Sequence, residues 1–374
     1  MAHVEDRWST EPSRKRQGLR WRVRYRDDLA KHRTRSFRIR TEAERFAREV
    51  ERDLDHGTYV DPSAGQVTFE DFARRWLSSA PDLRPRTREN YDGIIRNHLI
   101  PAFGKTPLSR LRPEHFRDLI RSKQAQGLAE PTVRRIVRLS STILKTAVTD
   151  RILTTSPVEG VRLPRETTRE MRFLTGEELA QLVEAVHPHY RAYVLTAGVL
   201  GARSGELRGL HPTRLNLLKG KVHIVEQLEE LDGALRRTVP KTAASTRSIT
   251  VPRFLIADLE DQLAHRSSTD FVFTTSDGKP IRASNFNRRV WQPAVHRAGF
   301  EGLRFHDLRH TAASLAIAVG AHPKAIQERL GHSSIVLTLD RYGHLFPALD
   351  EVLAQRLEDT YGDLLAPRTR PEAV

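Results

Sequence analysis

Residues 306–345 read HDLRHTAASLAIAVGAHPKAIQERLGHSSIVLTLDRYGHL, and this stretch decides how the last part of the chain folds. His306 and Arg309 stand at i and i+3, so on a helix they share a face. Gly320, Pro323 and Gly331 punctuate the run between Arg309 and His332, which predicts two helices folded back on each other. His332 follows a glycine stop signal, placing it at a helix end. Tyr342 comes ten residues later, beyond the apolar run Ile335 to Leu339. His306 and His310 could be read as a zinc pair at i, i+4. The glutamate of H-E-x-x-H is missing, however, and no third ligand is evident. His310 reads instead as a structural, hydrogen-bonding histidine, and His344 as structural or close to a bound polyanion.

Working outward, Arg203 lies in GARSGELRGL (201–210) and Lys241 in VPKTAASTRSITVP (239–252). With His306, Arg309, His332 and Tyr342 they supply two guanidiniums, an ammonium, two imidazoles and a phenol. That set suits attack of a tyrosine on a phosphodiester, with no metal required. A free phenol has a pKa of about 10, so it is a poor nucleophile at neutral pH without help. Attack also builds charge on the non-bridging oxygens, which preorganised donors must meet. Arg203 and Arg309 can each present a planar fork to those oxygens. His306 and His332 can serve as ring donors or proton acceptors, and Lys241 can protonate the leaving 5′-oxygen. Arg203 could be a surface arginine paired with Glu206, but its Gly-Ala-Arg-Ser-Gly-Glu context favours catalysis, with Glu206 orienting the site. Lys219 and Lys221 compete with Lys241, and Tyr361 with Tyr342, but Tyr361 lacks the Gly-His lead.

Composition agrees with a polyanionic partner. The chain has 374 residues, a net charge of +15 and 62 basic residues, of which ten are lysine. Arginine grips phosphate bidentately, so an arginine-rich excess of charge favours nucleic acid. There are no cysteines, which excludes disulfides, thiolate catalysis and cysteine-type zinc sites. MAHVEDRWSTEPSRKR (1–16) has no apolar h-region and no segment approaches a membrane span. A protein of the cytoplasm or nucleoid is expected.

The upstream chain divides by pattern. Trp21, Val23 and Tyr25 alternate with Arg22, Arg24 and Arg26, and Phe37 and Ile39 with Arg38 and Arg40. Period-2 alternation predicts two half-buried strands sharing an arginine face, followed by a helix that Thr41 and Glu44 cap, running to about Leu54. That face reads either as DNA-binding or as an ordinary solvated one. HGTYVDPSAGQ (56–66) is a linker. From about 67 to 160 the pattern is helical. Thr68 starts one helix, Thr87 a second ending before Pro101, Pro113 a third, and a fourth begins near Pro131. Arg134, Arg135 and Arg138 lie off the apolar stripe of the last. After a second linker the pattern is mixed, with short strands at 221–228, 236–240 and 247–251.

These motifs resemble the tyrosine recombinases, specifically phage-type or mobile-element integrases. All six positions are filled in family order: the first arginine by GARSGELRGL, the H-x-x-R box by His306 and Arg309, the Gly-His by Gly331 and His332, the nucleophile by Tyr342 in DRYGH. The tryptophan that relatives often carry just after the Arg203 helix is lacking. The resemblance covers most of the chain. It implies an α+β fold, mainly α, in three parts. These are a small ββα-type sheet domain that binds arm-type DNA (1–58), a four-helix SAM-like core-binding domain (67–160) and a mixed α/β catalytic domain (168–374). A tail helix near 348–363 would dock on a neighbour.

It further implies that Tyr342 forms a 3′-phosphotyrosine and frees a 5′-hydroxyl, needing neither ATP, metal nor other cofactor. Strand exchange would pass through a Holliday junction, with a homotetramer on double-stranded attachment sites. A directionality factor and a host DNA-bending protein are the implied accessory partners. Arg22, Arg24, Arg38, Arg40, Arg134 and Arg138 are the candidate DNA contacts. Two other readings share features with this one: DNA relaxation of the type IB topoisomerase kind, and a non-catalytic DNA-binding regulator of the same fold.

Overall fold

The computed structural model describes residues 2–11, 18–28, 30–61, 63–165, 171–240, 243–264, 266–346 and 349–365. It is mainly helical with small sheets, and the chain divides into two units, Met1–Thr168 and Arg169–Val374.

The first unit opens with β1 (His3–Asp6), a single turn α1 (Arg7–Thr10), β2 (Trp21–Arg26) and β3 (His32–Phe37). They form an antiparallel sheet in the order β1-β2-β3, with Val4 opposite Val23 and Val23 opposite Arg35. Helix α2 (Arg40–Asp55) lays the small residues Ala43 and Ala47, with Val50, against Val23 and Tyr25. The Tyr25 and Tyr59 hydroxyls, buried beneath it, satisfy each other at 3.0 Å.

Two expectations change here. The second strand ends at Phe37, and Ile39, not Thr41, is the extended residue that begins the helix, without a side-chain cap. The arginine face is also partly neutralised. Arg22 reaches Glu5 and Glu11, each at 3.0 Å, and Arg24 reaches Glu5 at 3.1 Å. Strand β1 supplies Glu5, and at four residues it is too short for alternation to announce it.

The rest of the unit is helical: α3 (Phe69–Ser79), α4 (Pro85–Ile94), α5 (Ile100–Phe103), α6 (Pro113–Ala125) and α7 (Glu130–Thr149). Thr68 caps α3, its Oγ1 accepting from the Asp71 N–H at 3.2 Å. The second predicted helix does not stop before Pro101. A wide turn over Ile95–Leu99 carries α4 into α5, and Pro101 falls in the first turn of α5, where its missing N–H costs least. Trp76 Nε1 donates to Thr146 Oγ1 at 3.1 Å, tying α3 to α7. The α7 stripe of Val133, Ile136, Val137, Ile143 and Leu144 is buried, as its spacing predicts.

The second unit begins with α8 (Gly176–Ala185), closed by a Thr175–Glu178 capping box, then α9 (Arg191–Leu200) and α10 (Ser204–Arg208). Strand β5 (Lys221–Ile224) pairs with β4 (Leu215–Asn216) on one side and with β8 (Arg247–Thr250) on the other, while β6 (Gln227–Leu231) and β7 (Ala234–Thr238) form a separate hairpin. The expected strand 221–228 is thus two strands in two sheets. Helices α11 (Ile256–Leu263), α12 (Ala283–Phe286), α13 (Gln292–Arg297), α14 (Asp307–Ala318), α15 (Pro323–Leu330), α16 (Ile335–Tyr342) and α17 (Leu349–Leu365) complete the unit. Helix α9 is apolar on nearly every side and is buried along α14. Tyr193 stacks on Phe305, and Trp291 beside them sends its N–H to the Leu303 carbonyl at 3.0 Å. Among the described residues no helix is long and apolar enough to cross a membrane.

Ile143 is fully buried in the α7 stripe. Ile143→Ala should destabilise the first unit by about 2–5 kcal/mol. Urea unfolding of the full chain, followed by the fluorescence of Trp76 against α7, would show its transition moved to lower denaturant.

Candidate active site

The site is built on the end of α15. The last carbonyls of a helix have no partner within it and carry the negative end of its dipole. Here three successive ones each receive a guanidinium: Arg329 O from Arg247 Nε at 2.7 Å, Leu330 O from Arg309 Nη2 at 2.6 Å and Gly331 O from Arg203 Nη2 at 3.3 Å. Gly331 turns the chain at φ +67°, and a Cβ there would stand 2.9 Å from the Ala244 carbonyl oxygen. Only glycine fits that left-handed, crowded position.

Arg309 is buried and donates its other arm to Gly201 O at 2.7 Å. Gly201 ends α9 in the same left-handed conformation, φ +66°, with Leu330 and Ala312 filling the space a side chain would need. Both partners of this guanidinium are neutral carbonyls. Burial, then the neighbouring Arg203, pull its pKa below the ordinary arginine value, yet it stays cationic at neutral pH.

Arg203 is half-exposed and shares the buried Glu206 with Arg247. Arg203 Nη1 reaches Oε1 and Arg247 Nη2 reaches Oε2, both at 2.8 Å. Burial pushes the Glu206 carboxyl up, but the hydrogen bond and charge of Arg247, with Arg203, outweigh it and hold it below its ordinary value. Arg203 Nη1 also reaches Ser245 Oγ at 3.3 Å. Ser245 belongs to the segment expected to carry Lys241, which itself lies outside the described residues.

The turn at Gly331 delivers His332, which is buried and hydrogen-bonded through Nδ1 to Thr338 Oγ1 at 2.9 Å. Its ring lies parallel to that of Tyr342, with centroids 6.4 Å apart. Burial, then Arg309, lower its pKa to about 4, so it is neutral at pH 7. Tyr342 ends α16 fully buried, with Phe173 against its ring, and burial raises its pKa. Its hydroxyl is 2.7 Å from His310 Nδ1. His306 begins α14 and is exposed, edge-on to His310 at 5.3 Å. Loss of water around its ring and the charge of Arg309 lower its pKa.

The structure therefore gathers Arg203, His306, Arg309, His332 and Tyr342 in one region of the second unit. Sequence reasoning weighed a Glu206–Arg203 pair as a surface feature, gave Glu206 a part in orienting the site, and gave His310 a structural hydrogen-bonding role. It missed Arg247 and the identity of the His310 partner. Arg247 stands at i+6 from Lys241 in a strand, and only its long-range contacts reveal it.

The candidate DNA contacts lie in the first unit and are not alike. Arg38 and Arg138 are exposed. Arg40 pairs with Glu44 at 2.7 Å and covers the Trp21 ring. Arg134 donates to the Pro164 carbonyl. Arg22 and Arg24 are held by the acids of the N-terminal segment described above.

Residues 172–348 match the phage integrase family, and residues 68–124 match the SAM-like N-terminal domain of phage integrases. The ICEBs1 integrase of Bacillus subtilis (strain 168) is 27% identical over 308 residues, which span 78% of this chain and 83% of that protein. The integrase of Mycobacterium phage D29 is 26% identical over 351 residues, 88% of this chain and 90% of its own. Among solved structures, the Tn1549 transposon integrase in complex with circular intermediate DNA shares the fold at a TM-score of 0.67, with 19% identity over 79% of this chain and 100% of that one. A lambda integrase tetramer bound to a Holliday junction gives 0.57, with 18% identity over 85% of this chain and 91% of that one. Both units carry a match, the second over the whole arginine, histidine and tyrosine constellation, and the chain belongs to the phage integrase family of tyrosine recombinases.

Proposed function

We propose that this chain is the site-specific DNA recombinase of a mobile element, cutting and rejoining DNA through a 3′-phosphotyrosine at Tyr342. The observation that carries the reading is the α15 end: Arg309 and Arg203 bind successive carbonyls, Leu330 and Gly331, immediately before His332, whose ring faces Tyr342. A phosphodiester brought to this point meets two guanidiniums already fixed in place. They need not reorganise as charge grows on the non-bridging oxygens.

In this reading Tyr342 Oη bonds to phosphorus as the P–O5′ bond breaks. Arg203 and Arg309 hold the phosphate oxygens, and Lys241 gives the leaving 5′-oxygen its proton. His306 and His332 assist as neutral ring donors. The phosphodiester energy is retained in the phosphotyrosine, so a 5′-hydroxyl from a partner duplex can reverse the reaction without ATP. DNA is the partner. A homotetramer on two sites, and the accessory directionality and DNA-bending proteins, belong to the same proposal. So does the division of the first unit into an arm-type module (1–58) and a core-binding module (67–160). The exposed Arg38 and Arg138 are the first arginines to test for DNA contact there.

Nicked duplexes tiled across the DNA flanking the gene, resolved on denaturing gels, test the reading. The unaltered chain should form a covalent adduct on one of them. Tyr342→Phe should form none while shifting the same duplex in native gels, and an adduct persisting in that variant would end the nucleophile assignment. Arg309→Lys should retain the fold better than Arg309→Ala yet cut single-turnover adduct formation by about 10²–10³-fold, because one donor cannot replace a fork. Gly331→Ala changes no charged group. It should still slow the adduct, because a Cβ forces the chain away from Ala244 and shifts both the Gly331 carbonyl and His332. Equal rates for Gly331→Ala and the unaltered chain would show that this helix end does not set the site.

A further inference from the structure

Among the described residues, the hydrogen-bond partner of the Tyr342 phenol lies outside the expected set. Its partner is His310, one position after Arg309 on α14, with Nδ1 2.7 Å from Oη and both side chains buried. Burial, then His306, lower the His310 pKa to about 4, while burial raises that of Tyr342. At neutral pH the proton therefore sits on the phenol, and the hydroxyl donates to a neutral imidazole through Nδ1. The tautomer follows: the ring proton is on Nε2. His332 cannot take this place through its own Nδ1, which is engaged with Thr338 at 2.9 Å.

From this geometry we infer that His310 is a catalytic residue that takes the Tyr342 proton during attack. The inference rests on Tyr342 being the nucleophile. As Oη bonds to phosphorus, the Oη–H bond breaks and the proton passes to Nδ1. The P–O5′ bond breaks and O5′ is protonated by Lys241. His310 is left as an imidazolium beside the phosphotyrosine. In the reverse step the incoming 5′-hydroxyl gives its proton back to Lys241 as it displaces Tyr342, and His310 returns its proton to the departing phenolate. A weakly basic imidazole suffices for two reasons. The phenol oxygen loses its basicity as it bonds to phosphorus. The scissile phosphate also brings negative charge to a site that otherwise disfavours the imidazolium.

His310→Asn tests this, because the asparagine oxygen falls near the place of Nδ1 and accepts a hydrogen bond but not a proton. Single-turnover adduct formation, on the nicked duplex that reacts with the unaltered chain, should fall by about 10²-fold or more, with DNA affinity unchanged. A ring-fluorinated tyrosine at position 342 has a more acidic phenol. It should recover much of the rate in His310→Asn and change the His310 chain far less. A purely structural role for His310 would not produce that difference.

The inference is overturned if His310→Asn reacts as fast as the unaltered chain, or if fluorination affects both chains alike. Should His310→Asn not fold, the unaltered chain still decides the matter with a duplex bearing a 5′-bridging sulfur, which departs without a proton. Its rate should drop in deuterated water, and an unchanged rate overturns the inference. Loss of the adduct in Tyr342→Phe together with a normal rate in His310→Asn would remove His310 alone. No adduct from the unaltered chain on any duplex would remove both assignments.

Discussion

Three peptide carbonyls at the end of one short helix organise the second unit. A helix must leave its final carbonyls unpaired, and in most proteins a turn or water answers them. Here Arg247, Arg309 and Arg203 do so in sequence, on Arg329, Leu330 and Gly331. The contacts join β8, α14 and the loop before α10 to a single point. Because the chain passes directly from those carbonyls into His332, the groups that would meet a phosphate and a ring that faces the phenol are placed by one arrangement. Without it, the two glycine turns at 201 and 331 would have nothing to aim.

The partners of the two clamp arginines differ in a way that bears on their chemistry. Arg203 and Arg247 share Glu206, so that group of three carries a net single positive charge. Arg309 is held by carbonyls alone, from Gly201 and Leu330. A carboxylate would have cancelled its charge, whereas a carbonyl orients it and leaves it available. Orientation by neutral dipoles and charge balance by one buried carboxylate together leave the site strongly attractive to an anion.

Much of this was legible in local patterns. The stop at Gly331 and the apolar stripe of α7 are short-range signals, and the structure has each where the local pattern puts it, whereas His306 falls just before α14 and is exposed while Arg309 within it is buried. What could not be read is contact across long separations. Arg247 meets the Arg329 carbonyl 82 residues away, and His310 meets Tyr342 across 32. A histidine one residue past an arginine reads as packing unless the far end of the chain is seen to return to it. The acids that face the arginines of the first unit were hidden for the same reason. Alternation identified the strands, but the acids that answer Arg22 and Arg24 come from the N-terminal segment, whose four-residue strand has no periodic signature. Pro101 marked a helix end by composition, yet a wide turn upstream absorbed it.

The buried guanidinium of Arg309 has a consequence for the protein in the absence of DNA. It is a desolvated cation beside Arg203, and in the proposed reaction the anion that would compensate it is the substrate phosphate. Dipoles soften that penalty without removing it. The unliganded fold therefore gives up stability at this helix end, and an anion bound there would restore it by mass action. On the proposed function, the fold would be at its most stable when DNA occupies the site.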